Sequence, residues 1–207
     1  MNLKARRILL TCVGVFVTGI SVGIFQAVEL GTDPFTSFIT GLCNITKIQF
    51  GILYTIICAA LLCLVFIVDK HYIGIATVFN LIGNGITADI TRNFLDTIIR
   101  EPGYITRIVL LSLGVILMCF AASMYFAADL GVSAYDAVSK IMTDKKIAQF
   151  RMCRIITDGT CVIIGFTLNA SVGIGTVITA VFMGPLIQWI SINCTEPFLY
   201  GRKIEKI

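Results

Sequence analysis

Leu30-Gly31-Thr32-Asp33-Pro34-Phe35 returns one hundred residues later as Leu130-Gly131-Val132-Ser133-Ala134-Tyr135. Each copy holds a glycine, a capping side chain and an aromatic. Glycine just past a helix end adopts the left-handed conformation that stops the helix. Asp33 and Ser133 are suited to cap the helix that starts next, and Pro34 fits its first turn, where no amide hydrogen is needed. The rest of the chain carries the same doubling. Arg7-Ile8 recurs as Arg107-Ile108, Gly14-Val15 as Gly114-Val115, and Gln49-Phe50 as Gln149-Phe150. After a one-residue slip, Gly74-Ile75-Ala76-Thr77-Val78 matches Gly173-Ile174-Gly175-Thr176-Val177. Two similar hydrophobic halves are a common plan for membrane carriers, with the substrate site between them.

Composition places the chain in a membrane. Of its 207 residues 57% are hydrophobic and 14% charged, with a mean hydropathy of +0.93; a soluble domain carries about 25% charge. Six apolar segments, at about 8–29, 49–68, 73–93, 107–129, 152–168 and 172–192, approach or exceed the roughly 20 residues that cross a bilayer. Between the first and second of each half lies a shorter, more polar segment, about 32–46 and 132–146. The expected fold is an all-α, polytopic membrane helix bundle. It forms one integral membrane domain over 1–207, built from two tandem repeats, about 7–97 and 106–195. Each repeat has three long helices and one short half-helix. Lys4, Arg6 and Arg7 followed by apolar residues resemble a signal peptide, but the run to Val28 is too long, and it is read as the first helix. The eight cysteines read as small buried hydrophobes, since no CxxC occurs and His71 is the single histidine. A basic face for nucleic acid is not visible.

Charge sets the topology. Six crossings with the N-terminus inside leave twelve basic residues cytoplasmic and four outside, Lys47, Arg92, Arg100 and Arg107. The repeats are then inverted. If the short segments also cross, the tally becomes fourteen to one and the repeats are parallel. The charges favour eight crossings. Against that, Ser133, Asp136, Ser139, Lys140, Thr143 and Asp144 crowd the second short segment, and mid-membrane charge costs several kcal/mol unless paired. Six long helices plus two half-helices are the preferred arrangement. Both arrangements put the N- and C-termini in the cytoplasm of a cell whose inner (plasma) membrane holds the protein.

Three constellations carry candidate chemistry. The first is the pair of corners, with Glu29, Gly31, Asp33 and Pro34 in one and Asp129, Gly131, Ser133 and Asp136 in the other. Broken helices present amide-bearing ends to substrates in carriers; a helix–turn–helix corner with Glu29 and Asp129 solvated is the plainer alternative. The second is Gly173-Ile174-Gly175-Thr176 with its partner at Gly74–Thr77, which opens the last helix of each half and either exposes backbone to a ligand or packs tightly. The third is polar residues within apolar helices. Asn80, Asn84 and Thr87 share a face, with Asp89 nearby and Gln188 aligned to Asp89 in the other half. Arg154 and Asp158, four apart, can pair, while their counterparts Tyr54 and Cys58 carry no charge. Ionisable residues inside membranes mark functional sites by default.

The corners, followed later by Gly173-Ile174-Gly175-Thr176, resemble the YczE/YyaS/YitT family of bacterial integral membrane proteins. The resemblance covers nearly the whole chain. Asp33 stands where the family motif has Ser or Thr, Thr36 where it has Asp, Ala134 where it has Pro, and Ala76 where it has Gly. The resemblance implies membrane location and a duplicated helical fold, and no particular activity.

The resulting expectation is a small-molecule or ion carrier, or the substrate-binding membrane component of one. Its expected substrate-binding residues are Glu29, Gly31, Asp33, Pro34, Asp129, Gly131, Ser133, Asp136, Asn80, Asn84, Asp89, Arg154, Asp158 and Thr176, with no catalytic or metal-binding residues and no cofactor. The expected partners are the lipid bilayer, a small molecule or ion, and a second copy or partner subunit, with no nucleic acid. The rival is a non-transporting accessory or scaffold membrane protein. No nucleophile elbow, phosphate loop or metal cluster points to an enzyme.

Overall fold

The computed structural model describes residues 3–69, 73–99, 103–128 and 130–200, and every regular element among them is a helix. The first half holds α1 (Leu3–Val28), α2 (Pro34–Thr46), α3 (Phe50–Val68) and α4 (Ile75–Ile98). The second holds α5 (Tyr104–Ala128), α6 (Ala134–Asp144), α7 (Phe150–Thr167) and α8 (Ile174–Ile190). A π-helical turn, Ser191–Thr195, continues α8 into a short α9, Glu196–Tyr200. Four stretches are long and apolar enough to cross a membrane: Lys4–Val28, Phe50–Val68, Tyr104–Ala128 and Ile174–Tyr200. The six expected apolar segments all form long helices, but α4 and α7 are not among those four. Asn80, Asn84 and Asp89 dilute α4, and Arg154 and Asp158 dilute α7. Helix α4 also runs past the apolar boundary at 93, because Arg92 and Asp96 pair one turn apart at 3.7 Å on its exposed end.

The corners fold as their residues dictate. Gly31 and Gly131 take φ of +104° and +112°, which glycine alone adopts cheaply. Asp33 caps α2 by accepting from the Thr36 amide at 3.1 Å, with Pro34 buried at the first helical position. Ser133 caps α6 in the same way, accepting from the Asp136 amide at 3.1 Å.

Helices α1 and α5 pack antiparallel along the middle of the molecule. A side chain on Gly14 would meet the Ala121 carbonyl and Tyr125; one on Gly114 would meet Phe25 at 2.7 Å. At one end Arg107 of α5 donates to the Val28 carbonyl of α1 at 3.1 Å and lies 3.7 Å from Glu29. At the other, Arg7 of α1 donates to the Tyr200 hydroxyl at 2.8 Å, which donates to Ala127 of α5 at 3.3 Å. Arg7 and Arg107, equivalent in sequence, therefore sit at opposite ends of the bundle.

The remaining contacts are reciprocal. Helix α4 packs on α1 and α8 on α5, while α2 packs on α7 and α6 on α3. The Leu30 carbonyl accepts from the Gly175 amide at 2.9 Å, and the Leu130 carbonyl from the Ala76 amide at 3.1 Å. Each corner thus docks on the first turn of the other half's last helix. Where Gly31 and Gly131 lie against Gly173 and Gly74, a Cβ would come within 2.6 and 2.7 Å of an amide nitrogen. Small residues at such crossings let membrane helices approach closely. Outward lie bare apolar side chains, among them Ile67, Phe94, Phe166 and Trp189, while Asp136, Ser37 and Ser139 are buried. That inside-out distribution suits lipid as the surrounding solvent.

Candidate functional site

The first turn of α6 and the first half of α7 build one buried ionic cluster. The Asp136 carboxylate, 4% exposed, accepts from the Tyr125 hydroxyl of α5 at 2.6 Å and the Ser133 hydroxyl at 2.7 Å. Its other oxygen pairs with Arg154. Arg154 also pairs with Asp158 one turn along α7, at 3.2 Å, and lies over the Tyr135 ring at 4.7 Å. The Tyr135 hydroxyl donates to Asp158. One guanidinium thus bridges two carboxylates and an aromatic face, and the hydroxyls of Tyr125, Ser133 and Tyr135 donate to the carboxylates as well. A charge this far inside is sustained only when paired and hydrogen-bonded in this way.

The equivalent place in the first half is neutral. Tyr54 stands for Arg154 and Cys58 for Asp158. The Tyr54 hydroxyl donates to Asn80 Oδ1 and accepts from Asn84 Nδ2, both at 2.9 Å. The two places meet through the first turns of the half-helices: Phe35 stacks on Tyr135 with centroids 4.6 Å apart and meets Tyr54 edge-on at 5.8 Å. Asp33 caps α2 two residues before Phe35, whose ring reaches both the ionic and the neutral side.

Of the residues singled out in the sequence, Asp33, Ser133, Asp136, Arg154, Asp158, Asn80 and Asn84 come together here, with Pro34 starting α2 beside them. Others lie elsewhere. Asp89 Oδ2 accepts from the Gly51 amide and the Gln49 side chain, each at 2.9 Å, and so caps α3 one turn before Tyr54. Gln188, aligned to Asp89 in the other half, is exposed on α8. Thr176 and its Gly-Ile-Gly neighbours are used in docking the Leu30–Gly31 corner, whose Leu30 carbonyl takes up the Gly175 amide, the packing alternative of the two. Gly31 and Gly131 serve the corner turns themselves. Glu29 is largely exposed at the end of α1, beside Arg107. Asp129, with Lys70, His71, Arg100 and the basic tail, lies outside the described residues. Sequence reading missed Tyr125 and Tyr54 as members of the cluster. The available signal was a tyrosine at 125 where the repeat has Phe25, and Tyr54 in register with Arg154. Two grooves lie on the outer surface of α3, one lined by Leu62, Phe66 and Ile73 and one by Gln49, Thr55 and Asp89; neither is lined by the cluster.

The family described as a family of unknown function, DUF6198, matches residues 5–192. An uncharacterized protein of Haemophilus influenzae is 25% identical over 174 residues, covering 84% of this chain and 78% of its own. An uncharacterized membrane protein of Bacillus subtilis, YczE, is 23% identical over 171 residues, covering 83% and 78%. The resemblance to YczE-type membrane proteins read from the corner motifs is thereby borne out. No solved structure matches the chain.

Proposed function

We propose a carrier function for this chain, which belongs to the DUF6198 family of unknown function: a small-molecule or ion carrier of the plasma membrane, or the substrate-binding membrane component of one. The observation that carries the proposal is the meeting of two interrupted helices, α2 and α6, whose first turns stack through Phe35 and Tyr135 beside the buried Arg154–Asp136–Asp158 cluster. Half-helices that start at the junction between two halves, next to intramembrane charge, are how many carriers build a substrate site. The antiparallel packing of α1 and α5 supports inverted repeats with three crossings each. Arg7 then faces the cytoplasm with both termini, and Arg107 faces outward.

A second reading has its own support. The cluster is largely hydrogen-bonded, and the two α3 grooves avoid it, as suits an accessory scaffold. Accessibility separates the two. Ser37 of α2 and Ser139 of α6 are both fully buried. Cysteine at either position, probed with a membrane-impermeant thiol reagent, reacts from both membrane faces in a carrier that alternates, above the background of the parent's native cysteines. No reaction from either face after prolonged exposure contradicts the carrier reading and favours the scaffold.

A further inference from the structure

We propose that Asp33 and the aromatic side chains around it bind an organic cation, an amine or quaternary ammonium, in the first half of the molecule. The inference deepens the carrier reading, whose site it shares. Its basis is an exchange between the two half-helix starts. In α6 the cap is a hydroxyl, Ser133, and the acid stands three residues later, at Asp136; in α2 the cap is the acid, Asp33, and the hydroxyl stands later, at Thr36. Both starts therefore carry one carboxylate. The second-half carboxylate is met by Arg154, seated on the Tyr135 ring. Among the described residues no cation pairs with the first within 4 Å, and Tyr54 occupies the position equivalent to Arg154.

Asp33 is left with an unmet acceptor. Its Oδ1 accepts from the Thr36 amide, while Oδ2 is buried with no hydrogen-bond partner. A second orphan acceptor points to the same ligand chemistry. Asn84, 5% exposed, donates its amide to Tyr54 and leaves Oδ1 buried and unpartnered. Asp136 and Asp158 already share the one guanidinium, Arg154, and Asp33 at the start of α2 adds a further carboxyl group. The walls supply the other half of the recognition. Phe35 lies within 4.6–6.3 Å, centroid to centroid, of Tyr135, Tyr54 and Phe38. Aromatic faces with a carboxylate in a desolvated place favour ammonium groups, and quaternary ones best of all. The arrangement reproduces with a ligand what Arg154 on Tyr135 supplies in the second half.

The test uses the full chain in nanodiscs, with benzyltrimethylammonium as the probe and benzoate, benzyl alcohol and sodium ion as matched alternatives, read by titration calorimetry. Saturable binding of the cation is expected, weakened at least tenfold in Asp33→Asn and unchanged in Asp89→Asn. Asparagine caps a helix as well as aspartate does, so the first variant keeps α2. Equal affinity in Asp33→Asn overturns the assignment, as does binding of benzoate or sodium but not of the cation, or the absence of saturable cation binding. The cysteine accessibility test needs no ligand. Failure of cation binding alone therefore leaves a carrier of some other substrate, and cation binding without two-sided access removes the carrier reading and keeps the site.

Discussion

Replacing Arg154 with leucine removes the single positive charge that two buried carboxylates share. The Asp136 side chain is 5% exposed and that of Asp158 13%, so neither regains much hydration when the guanidinium goes. Breaking a buried pair by deleting one partner costs about 3–5 kcal/mol. Arg154 is itself a third exposed, which moves the expectation to the lower end, about 3 kcal/mol. Asp136→Asn is milder. Arg154 keeps Asp158 at 3.2 Å, and one hydrogen bond is rearranged, for about 1–2 kcal/mol. Once Arg154 is gone, however, neutralising Asp136 relieves an unpaired charge. The double variant is therefore more stable than the sum of the single losses predicts, with a coupling of about 1.5–2 kcal/mol. Reversible unfolding of the purified protein in mild detergent, followed by circular dichroism, measures all four corners of the cycle. Additive losses within about 0.5 kcal/mol would refute the reasoning. The exposed pair Arg92–Asp96, at 3.7 Å, is the control, and its coupling is expected below about 0.5 kcal/mol.

Gly31→Ala and Gly131→Ala force a side chain into positive φ and against the amide at the start of α8 or α4; each is expected to cost about 2 kcal/mol or more in the same unfolding measurement. Gly159→Ala, which meets nothing within 4 Å on α7, is expected to be neutral or to stabilise by up to about 1 kcal/mol. Asp89→Ala removes the cap that α4 gives α3 and is expected to cost about 1 kcal/mol of stability while leaving benzyltrimethylammonium affinity unchanged. Equal binding loss in Asp89→Ala and Asp33→Asn would point to general destabilisation instead of a site.

What the sequence disclosed and what it withheld divide by range. The caps at Asp33 and Ser133 and the Arg154–Asp158 pair were legible because each is settled within one or two turns. The Asp136–Arg154 pair spans α6 and α7, eighteen residues apart, and no local spacing encodes it. The start of α8 was ambiguous for a physical reason: amide groups at a helix start look alike whether they face a ligand or, as here, the Leu30 carbonyl. The hundred-residue echo reads the same for parallel and inverted halves, and the charge tally leaned toward parallel. The contacts of Arg7 and Arg107 at opposite ends of the α1–α5 pair are what favour the inverted arrangement proposed above.

That opposition is also the most direct test of the account, because a site between inverted halves requires it. Gly103 precedes α5 with nothing within 4 Å of a side chain placed there, so a cysteine is tolerated. In intact cells Gly103→Cys is expected to react fully with a membrane-impermeant maleimide, while a cysteine at Lys145, after α6, reacts only in inside-out vesicles. Protection of Gly103→Cys in intact cells, with reaction at both positions in inside-out vesicles, would mean that the halves run parallel and would contradict the account.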